Sequence, residues 1–550
     1  MPQERIHMSP LLLFSFVLGY FLILLGVAFY TSRNATNETF FIGNRNSNWI
    51  LVAFGMIGTS LSGVTFVSVP GTVGNIVNGG FGAFGYFQVI LGYIFGYLVI
   101  AFVLVPLYYK LNLTSIYHYL ELRLGKESYK TGALFFIISR LFGATARLYL
   151  VINVLQIFIL DEMGVPFIAT TAIILFMILL YTWKGGVKTI VYTDTLQTSF
   201  MLLGLIICLG YILSQMGLPI GEVLKQMSDH HYTRIFDTNY LNKSFYLKNL
   251  IGGAVIAIAM TGLDQEMMQK NISVKRMKDS QKNIMTFTVT MVVVNLLFLT
   301  LGGLLYLYII QKGGFYQEKT FLFNGKNIIG DDLFPTIALY HLPHTIGIIF
   351  IIALISALFP SADGALTALT SSFCIDILGI KRRPDMSEAS QKKTRMIVHF
   401  GFAIIFLLCI LIFKWINNKS IISVILDLAG YTYGPLLGLF AFGLLTKRVI
   451  QKGYAVTFIC LMAPALCYLL GKNAAMLFNG YQTGFEMLLI NGMVTFSGLW
   501  LISKQHSGFF NKNQPLQRAL GFKFAVNGIY HSTSNRLLYC TQFIKRSIVA

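Results

Sequence analysis

The sequence predicts an all-α membrane protein with about thirteen transmembrane helices, and three observations lead to this fold class. Of its 550 residues, 55% are hydrophobic and only 12% are charged, with a mean hydropathy of +0.68. A soluble globular protein carries roughly 25% charged residues, so this chain has too little polar surface to face water. Its apolar residues also fall in runs of about 20, the length that a helix needs to cross a bilayer.

The predicted spans follow these apolar runs along the chain. In order they are 10–30, 49–73, 82–107, 131–158, 165–183, 190–215, 248–262, 284–310, 344–376, 396–413, 420–445, 453–470 and 485–503. The first run is long enough to span, so we expect a retained helix and no cleaved signal. The run at 344–376 is long and is expected to tilt or to extend beyond the bilayer.

The basic residues set the predicted orientation. The net charge of +20 lies in short loops between apolar runs, which is the positive-inside distribution and not a nucleic-acid-binding face. We therefore expect no nucleic-acid partner. An outside N-terminus places the basic loops 270–282 and 381–393 inside. The chain is then a multi-pass protein of the plasma or inner membrane, with its basic tail, 504–550, in the cytoplasm.

The second span is interrupted at its middle. Between Gly55 and Phe66 it concentrates glycines and hydroxyl side chains, and Pro70 follows. Two interpretations stay open: small residues let helices approach closely, or the helix is broken and its free carbonyls coordinate a cation.

A similar interruption recurs five spans later. Gly252-Gly253 and the run from Met260 to Gly262 precede Asp264. Two interrupted segments at matching positions in two five-helix halves are typical of inverted-repeat transporters with a site at the membrane midplane.

The long span carries Pro360, Ser361 and Asp363. Carbonyl and hydroxyl oxygens suit hard cations such as sodium. Ser361 supplies a hydroxyl, and Pro360 frees the carbonyl one turn earlier because it has no N–H. Pro360 as a simple kink is the alternative.

Two arginines lie in the fourth span. Arg140 and Arg147 are seven residues apart and share one helical face. A charge in mid-membrane is costly, so both should face the protein interior. Pairing with a buried carboxylate and contact with an anionic substrate are both open.

Six motifs in order resemble the sodium:solute symporter family over about residues 15 to 500. They are Phe41-Ile42-Gly43, Leu113 to Arg123, Gly185 to Lys188 with Thr193 to Gln197, Gly262 to Gln265 with Gln269-Lys270, Ser361 to Gly364 with Asp376-Ile377, and Gly430-Tyr431 with Thr446 to Arg448 and Gly453.

This resemblance implies a leucine-transporter-type fold with a 5+5 inverted repeat. The implied domains are an N-terminal helix with a connecting loop (1–48), two five-helix repeats (49–215 and 248–445), two peripheral helices (453–503) and the tail. The implied coupling ion is Na+. Its implied ligands are the carbonyls of Gly58, Leu61 and Ala357 and the hydroxyl of Ser361. Pro360 replaces a family serine, which removes one ligand.

The resemblance also implies a solute site beside the ion. Its candidate residues are Ser62, Thr65, Phe66, Arg147, Met260, Tyr431 and Tyr433, and Asp194 is placed in the ion pathway. The family's polar sugar-binding side chains are missing between Ala257 and Thr261, which argues against a sugar. Arg147 argues for a carboxylate.

The predicted function is sodium-coupled symport of a small organic solute by alternating access. A proton-coupled symporter, and a solute sensor or channel on the same fold, are the alternatives. An enzyme is not expected, because the histidines lie mostly in loops or at span ends and form no catalytic cluster. We expect the chain to work in the lipid bilayer as a monomer.

Overall fold

The structure, a computed structural model, is almost entirely helical. It describes residues 9–33, 36–74, 82–317, 320–323, 325–328, 330–383, 385–416, 421–451 and 453–505. The predicted cytoplasmic tail lies almost entirely outside the described residues.

The α-helices vary from single turns to a kinked element of two spans. In chain order they are α1 (Pro10–Thr31), α2 (Asn37–Ile42), α3 (Trp49–Ser60), α4 (Gly63–Thr72), α5 (Phe87–Val99), α6 (Val105–Lys110), α7 (His118–Leu124), α8 (Lys126–Leu155), α9 (Phe167–Met216), α10 (Ile220–Asp229), α11 (Tyr246–Ala257), α12 (Gln265–Ile272), α13 (Met277–Gln311), α14 (Leu333–Tyr340), α15 (His344–Ser372), α16 (Glu388–Ile416), α17 (Ile421–Thr432), α18 (Gly434–Leu445), α19 (Gly453–Leu477) and α20 (Glu486–Ile502). Single π-helical turns continue α5, α8, α11 and α15.

Two small antiparallel sheets accompany the helices. The first joins β1 (Phe315–Gln317), β2 (Thr320–Phe323) and β3 (Lys326–Ile328) in the loop that follows α13. The second pairs β4 (Val449–Ile450) with β5 (Ser503–Lys504), and so closes the two final helices against each other.

The helices reproduce the predicted spans. Eight segments of the described chain are long and apolar enough to cross a membrane, and three further spans are bent helix pairs. Two shorter apolar helices, Phe167–Trp183 and Glu486–Ile502, occupy the remaining predicted positions. The fold class predicted from hydropathy is therefore confirmed.

The core of the bundle lies at α8 and α15. In the most apolar stretch of each, 72% and 78% of the residues are buried, against 28% for α16 and 22% for α19. α8 and α15 are therefore inner helices, whereas α16 and α19 face the surroundings of the protein.

The three bent spans lie where the chain leaves helical geometry. The axes of α3 and α4 differ by 53°, and those of α11 and α12 by 63°. Leu61 ends the first helix, and Asp264 begins α12 by accepting hydrogen bonds from the N–H groups of Glu266 and Met267.

Of the second predicted interruption, the part at Met260 to Gly262 is confirmed and the part at Gly252-Gly253 is wrong. Gly252 and Gly253 lie inside α11, whereas the break follows directly after Gly262. A Cβ on Gly252 would lie 2.4 Å from the Cβ of Phe485, and one on Gly253 would lie 2.3 Å from the Val89 carbonyl oxygen. These glycines serve close helix packing.

Candidate functional site

The break between α3 and α4 lies directly against α9 and α15. Leu61 has φ −85° and ψ 73°, which ends α3. The last carbonyls of a helix lack backbone N–H partners, so unpaired carbonyl oxygens collect at this point. A Cβ on Gly58 would lie 2.2 Å from Thr198 Oγ1 and 3.5 Å from Pro360 Cγ. The absent side chain therefore allows the broken helix to approach Thr198 of α9, while Pro360 of α15 lies at ordinary contact distance.

The predicted sodium ligands are all buried, and they lie on the two helices that meet here. Gly58 and Leu61 belong to the end of α3, and Ala357 and Ser361 belong to α15. The Ser361 hydroxyl has no hydrogen-bond partner among the described residues. Leaving a buried polar group unpaired costs about 1–3 kcal/mol. A carbonyl-and-hydroxyl donor set with an unsatisfied oxygen fits a hard cation.

A buried ion-pair network lies beside this region. Lys270 Nζ lies 2.6 Å from Asp194 Oδ2 and 2.5 Å from Thr59 Oγ1. It also approaches Glu266 Oε1 at 3.8 Å. The network connects α3 and α9 of the first predicted repeat with α12 of the second. Asp194, predicted as part of the ion pathway, is thus held by a cation from the other repeat.

The predicted place of Lys270 in the basic inner loop is wrong. Lys270 lies in α12 with 2% of its surface exposed. The loop follows α12 and begins with Ser273. The sequence did not predict that Lys270 pairs with Asp194 of α9.

The two arginines of α8 have different surroundings. Arg140 is buried and pairs with Glu266, and its Nη1 lies 3.7 Å from Asp264 Oδ2. The Asp264 carboxylate also accepts a hydrogen bond of 2.8 Å from the Tyr433 hydroxyl. Arg147 makes no hydrogen bond or ion pair with any residue that the structure describes. Its guanidinium N–H groups are therefore not occupied by any described side chain, and Glu266 and Asp264 act on its charge only from a distance.

A cavity of about 80 Å³ lies in front of Arg147. It lies between α3, α4, α5, α8, the end of α11, α12, α13 and α17. Its polar lining includes Thr59, Ser60, Ser62, Thr65, Tyr86, Tyr93, Tyr97, Arg140, Arg147, Thr261 and Asn295. Its apolar lining includes Ile256, Ala257, Met260, Met267, Met291, Ile425 and Leu426.

Four predicted solute residues line this cavity together. They are Ser62, Thr65, Arg147 and Met260.

The other three lie elsewhere. Phe66 packs into an aromatic cluster with Phe298, Phe334 and Phe350, at ring distances of 5.3 to 5.7 Å. Tyr431 stacks edge-on against Tyr468 at 6.0 Å, and Tyr433 is engaged with Asp264. None of these three side chains belongs to the cavity lining.

The sequence analysis missed one wall of the cavity. Tyr86, Tyr93 and Tyr97 all face it from the start of α5 and along that helix. Their spacing of seven and four residues places Tyr93 and Tyr97 on one helical face with Tyr86. That spacing was a visible signal, but tyrosines in an apolar helix are equally typical of packing.

An ion pair lies near each end of the bundle. On the predicted cytoplasmic side, Glu121 of α7 forms a two-pronged ion pair with Arg382, which follows α15. These hydrogen bonds lower the pKa of the Glu121 carboxyl. On the opposite side, Lys243 Nζ lies 2.9 Å from Asp427 Oδ1 of α17, the helix that contributes Ile425 and Leu426 to the cavity. In this conformation, α17 forms part of the cavity wall, and its Asp427 makes a partly exposed ion pair with Lys243.

Comparisons with known proteins agree with this architecture. A family model described as the sodium:solute symporter family matches residues 40–460. The sodium/sialic acid symporter of Proteus mirabilis is 23% identical over 503 residues, covering 89% of this chain and 96% of the relative. The sodium-coupled monocarboxylate transporter 1 of Mus musculus is 26% identical, covering 80% of this chain and 69% of the relative.

Solved structures show the same fold. The outward-open, substrate-bound structure of a Na+-coupled sialic acid symporter aligns with a TM-score of 0.73 at 21% identity, covering 90% of this chain and 99% of that one. The nucleobase-cation-symport-1 family transporter Mhp1 aligns with a TM-score of 0.52 at 13% identity, covering 85% and 95%.

Proposed function

The chain belongs to the sodium:solute symporter family, and from this membership we propose which ion site and which class of solute it uses. It is a secondary active transporter that couples sodium to the movement of a small organic solute. Each positive charge that enters with the membrane potential contributes about 2.3 kcal/mol per 100 mV. The sodium concentration gradient drives the solute against its own gradient, and the voltage adds to it only for the net charge moved in each cycle.

Sodium is proposed to bind between the end of α3 and the middle of α15. Its ligands are the carbonyl oxygens of Gly58, Leu61 and Ala357 and the hydroxyl of Ser361. The unsatisfied Ser361 oxygen supports this assignment. An ion that contacts both helices stabilises one arrangement of the two repeats over the other, which is the requirement for coupling. Asp194, whose Oδ1 is also unpaired, is proposed to act along the ion pathway.

The solute is proposed to be a small monocarboxylate held by Arg147. The observation that carries this proposal is a guanidinium on the wall of a cavity that forms no hydrogen bond or ion pair with any described residue. Arginine binds carboxylates through two parallel N–H bonds. Arg140 is already engaged by Glu266 and Asp264, whereas the guanidinium of Arg147 forms no hydrogen bond with a described residue, so it is the arginine available to a single carboxylate on the solute.

The size of the cavity supports a solute of a few carbon atoms. An engineered cavity of about 150 Å³ holds benzene, and this one measures about 80 Å³. Ser62 and Thr65 offer hydroxyls beside the arginine, while Met260 and its apolar neighbours contact the rest of the solute. A mixed lining of this kind is typical of small-molecule sites.

Transport by the purified chain in proteoliposomes tests the proposal. An inward sodium gradient should drive concentrative uptake of at least one short-chain monocarboxylate and not of its neutral amide. Uptake of neutral solutes alone would refute the carboxylate assignment. Uptake that follows a pH gradient and ignores sodium would make the proton the coupling ion, and flux that never exceeds equilibrium would indicate a channel.

The membrane orientation is also part of the proposal. The N-terminus is placed outside and the C-terminus in the cytoplasm of a plasma or inner membrane, because the inner loops then carry most of the basic residues. The repeats are placed at 49–215 and 248–445, and the functional unit is proposed to be a monomer.

A further inference from the structure

A second cavity lies on the outside of the bundle, and it shares no lining residue with the proposed solute cavity. It measures about 580 Å³ and is lined by Trp183, Ala389, Lys392, Lys393, Met396, Ile397 and Phe400. It lies between the end of the first straight part of α9 and the beginning of α16. We call it the α9–α16 groove.

The groove is ordered from charged to apolar along α16. Lys393, Ile397 and Phe400 are spaced by four and three residues, and Lys392 is four residues before Met396, so lysines and apolar side chains share one helical face. Phe400 lies about 10 Å deeper than Lys393 at 1.5 Å per residue. The side chains of Ile397 and Phe400 are 63% and 54% exposed, so the protein itself does not cover them.

The two lysines have no ion-pair or hydrogen-bond partner among the described residues. The neighbouring Arg395 differs: it is buried, its guanidinium donates to Asn37 Oδ1 at 2.8 Å and lies 4.1 Å from the Phe40 ring centre. In α16, Arg395 therefore points into the protein, whereas Lys392 and Lys393 line the groove. Trp183 also lines the groove, at the end of the apolar helix Phe167–Trp183, and tryptophan is enriched at the ends of membrane spans.

We propose that the α9–α16 groove binds one anionic phospholipid. The phosphate lies at Lys392 and Lys393, where the indole N–H of Trp183 is available as a further donor. An acyl chain lies along Met396, Ile397 and Phe400. The occupant is an amphiphile because the groove places positive charge at the rim and an apolar surface one to two turns deeper. Juxtamembrane lysines attract anionic lipids of the cytoplasmic leaflet, the side on which the basic loops place this groove.

Trp183 provides a direct measurement. A variant with Trp49→Phe, Trp415→Phe and Trp500→Phe leaves it as the only tryptophan of the chain. In nanodiscs, brominated phosphatidylglycerol should quench its fluorescence at a lower mole fraction than brominated phosphatidylcholine, by roughly fivefold for each lysine. The change Lys392→Gln with Lys393→Gln should abolish this preference. Lys275→Gln with Lys278→Gln removes two exposed charges from another inner loop and should preserve it.

Three results would overturn the proposal. They are equal quenching by the two lipids, a preference that survives the Lys392→Gln and Lys393→Gln change, and displacement of the lipid by millimolar glycerol phosphate, which would indicate a simple anion site. If the tryptophan variant does not fold, native mass spectrometry of the unaltered chain measures the same preference. A retained phosphatidylglycerol that the lysine variant lacks supports the groove, and retention by both refutes it.

Discussion

Replacing Arg147 by lysine keeps the positive charge at the cavity but removes the planar fork that binds a carboxylate through two bonds. Because no described residue pairs with Arg147, the change leaves no protein group unpaired, and its cost falls on the solute. A hydrogen bond to a charged group is worth about 1.5–3 kcal/mol, so loss of one prong should weaken solute affinity by roughly 10- to 100-fold. Arg147→Gln, which also removes the charge, should weaken it further.

The assay is initial uptake against solute concentration in proteoliposomes, with thermal unfolding measured in parallel. Arg140 supplies the matched control on the same helix face. Arg140→Gln leaves Glu266 with only Lys270 and should lower the unfolding free energy by about 3–5 kcal/mol, while Arg147→Lys should leave the unfolding temperature close to that of the unaltered chain. An unchanged half-saturating concentration in Arg147→Gln would show that the arginine does not meet the solute.

Three further predictions concern the ion site, the network and the orientation. Ser361→Ala deletes one oxygen and should raise the sodium concentration for half-maximal uptake about fivefold, as expected for a contact of about 1 kcal/mol; identical sodium curves would exclude Ser361 as a ligand. Lys270→Met should destabilise the chain by leaving Asp194 buried and unpaired, and adding Asp194→Asn should restore much of the unfolding temperature; additive losses would argue against this pairing. A Ser387→Cys probe should resist an impermeant thiol reagent in intact cells and react after permeabilisation, and labelling from outside would invert the proposed topology.

Most of the fold could be predicted because the bilayer imposes a strong and simple constraint. Every backbone polar group in lipid must be satisfied within a helix, so apolar runs of spanning length report the helices directly. The glycines and hydroxyls near Gly58 mark the place of a break, but the same composition also fits close helix packing, so the sequence left both interpretations open. The symporter family suggested by the six motifs is confirmed by the family match over residues 40–460.

The tertiary partners could not be predicted from the same signals. Gly252 and Gly253 have the composition of a break, but they pack tightly against Phe485 and the Val89 carbonyl, and sequence does not distinguish a glycine that bends a helix from one that lets a neighbour approach. Lys270 adjoins a basic loop, so its burial against Asp194 depends on packing that links residues far apart in the chain. Phe66 is a similar case: it was predicted to contact the solute, but it packs against Phe298, Phe334 and Phe350, which are far from it in the sequence.

A single guanidinium that meets a singly charged solute has an electrical consequence. The arginine stays with the protein, so the charge translocated in one cycle is that of the solute and its accompanying ions. One sodium with one monocarboxylate is electroneutral, and the membrane voltage would then contribute nothing to accumulation. A second sodium would make the cycle electrogenic and add about 2.3 kcal/mol per 100 mV. The response of uptake to a potassium–valinomycin diffusion potential therefore counts the ions that travel with each solute.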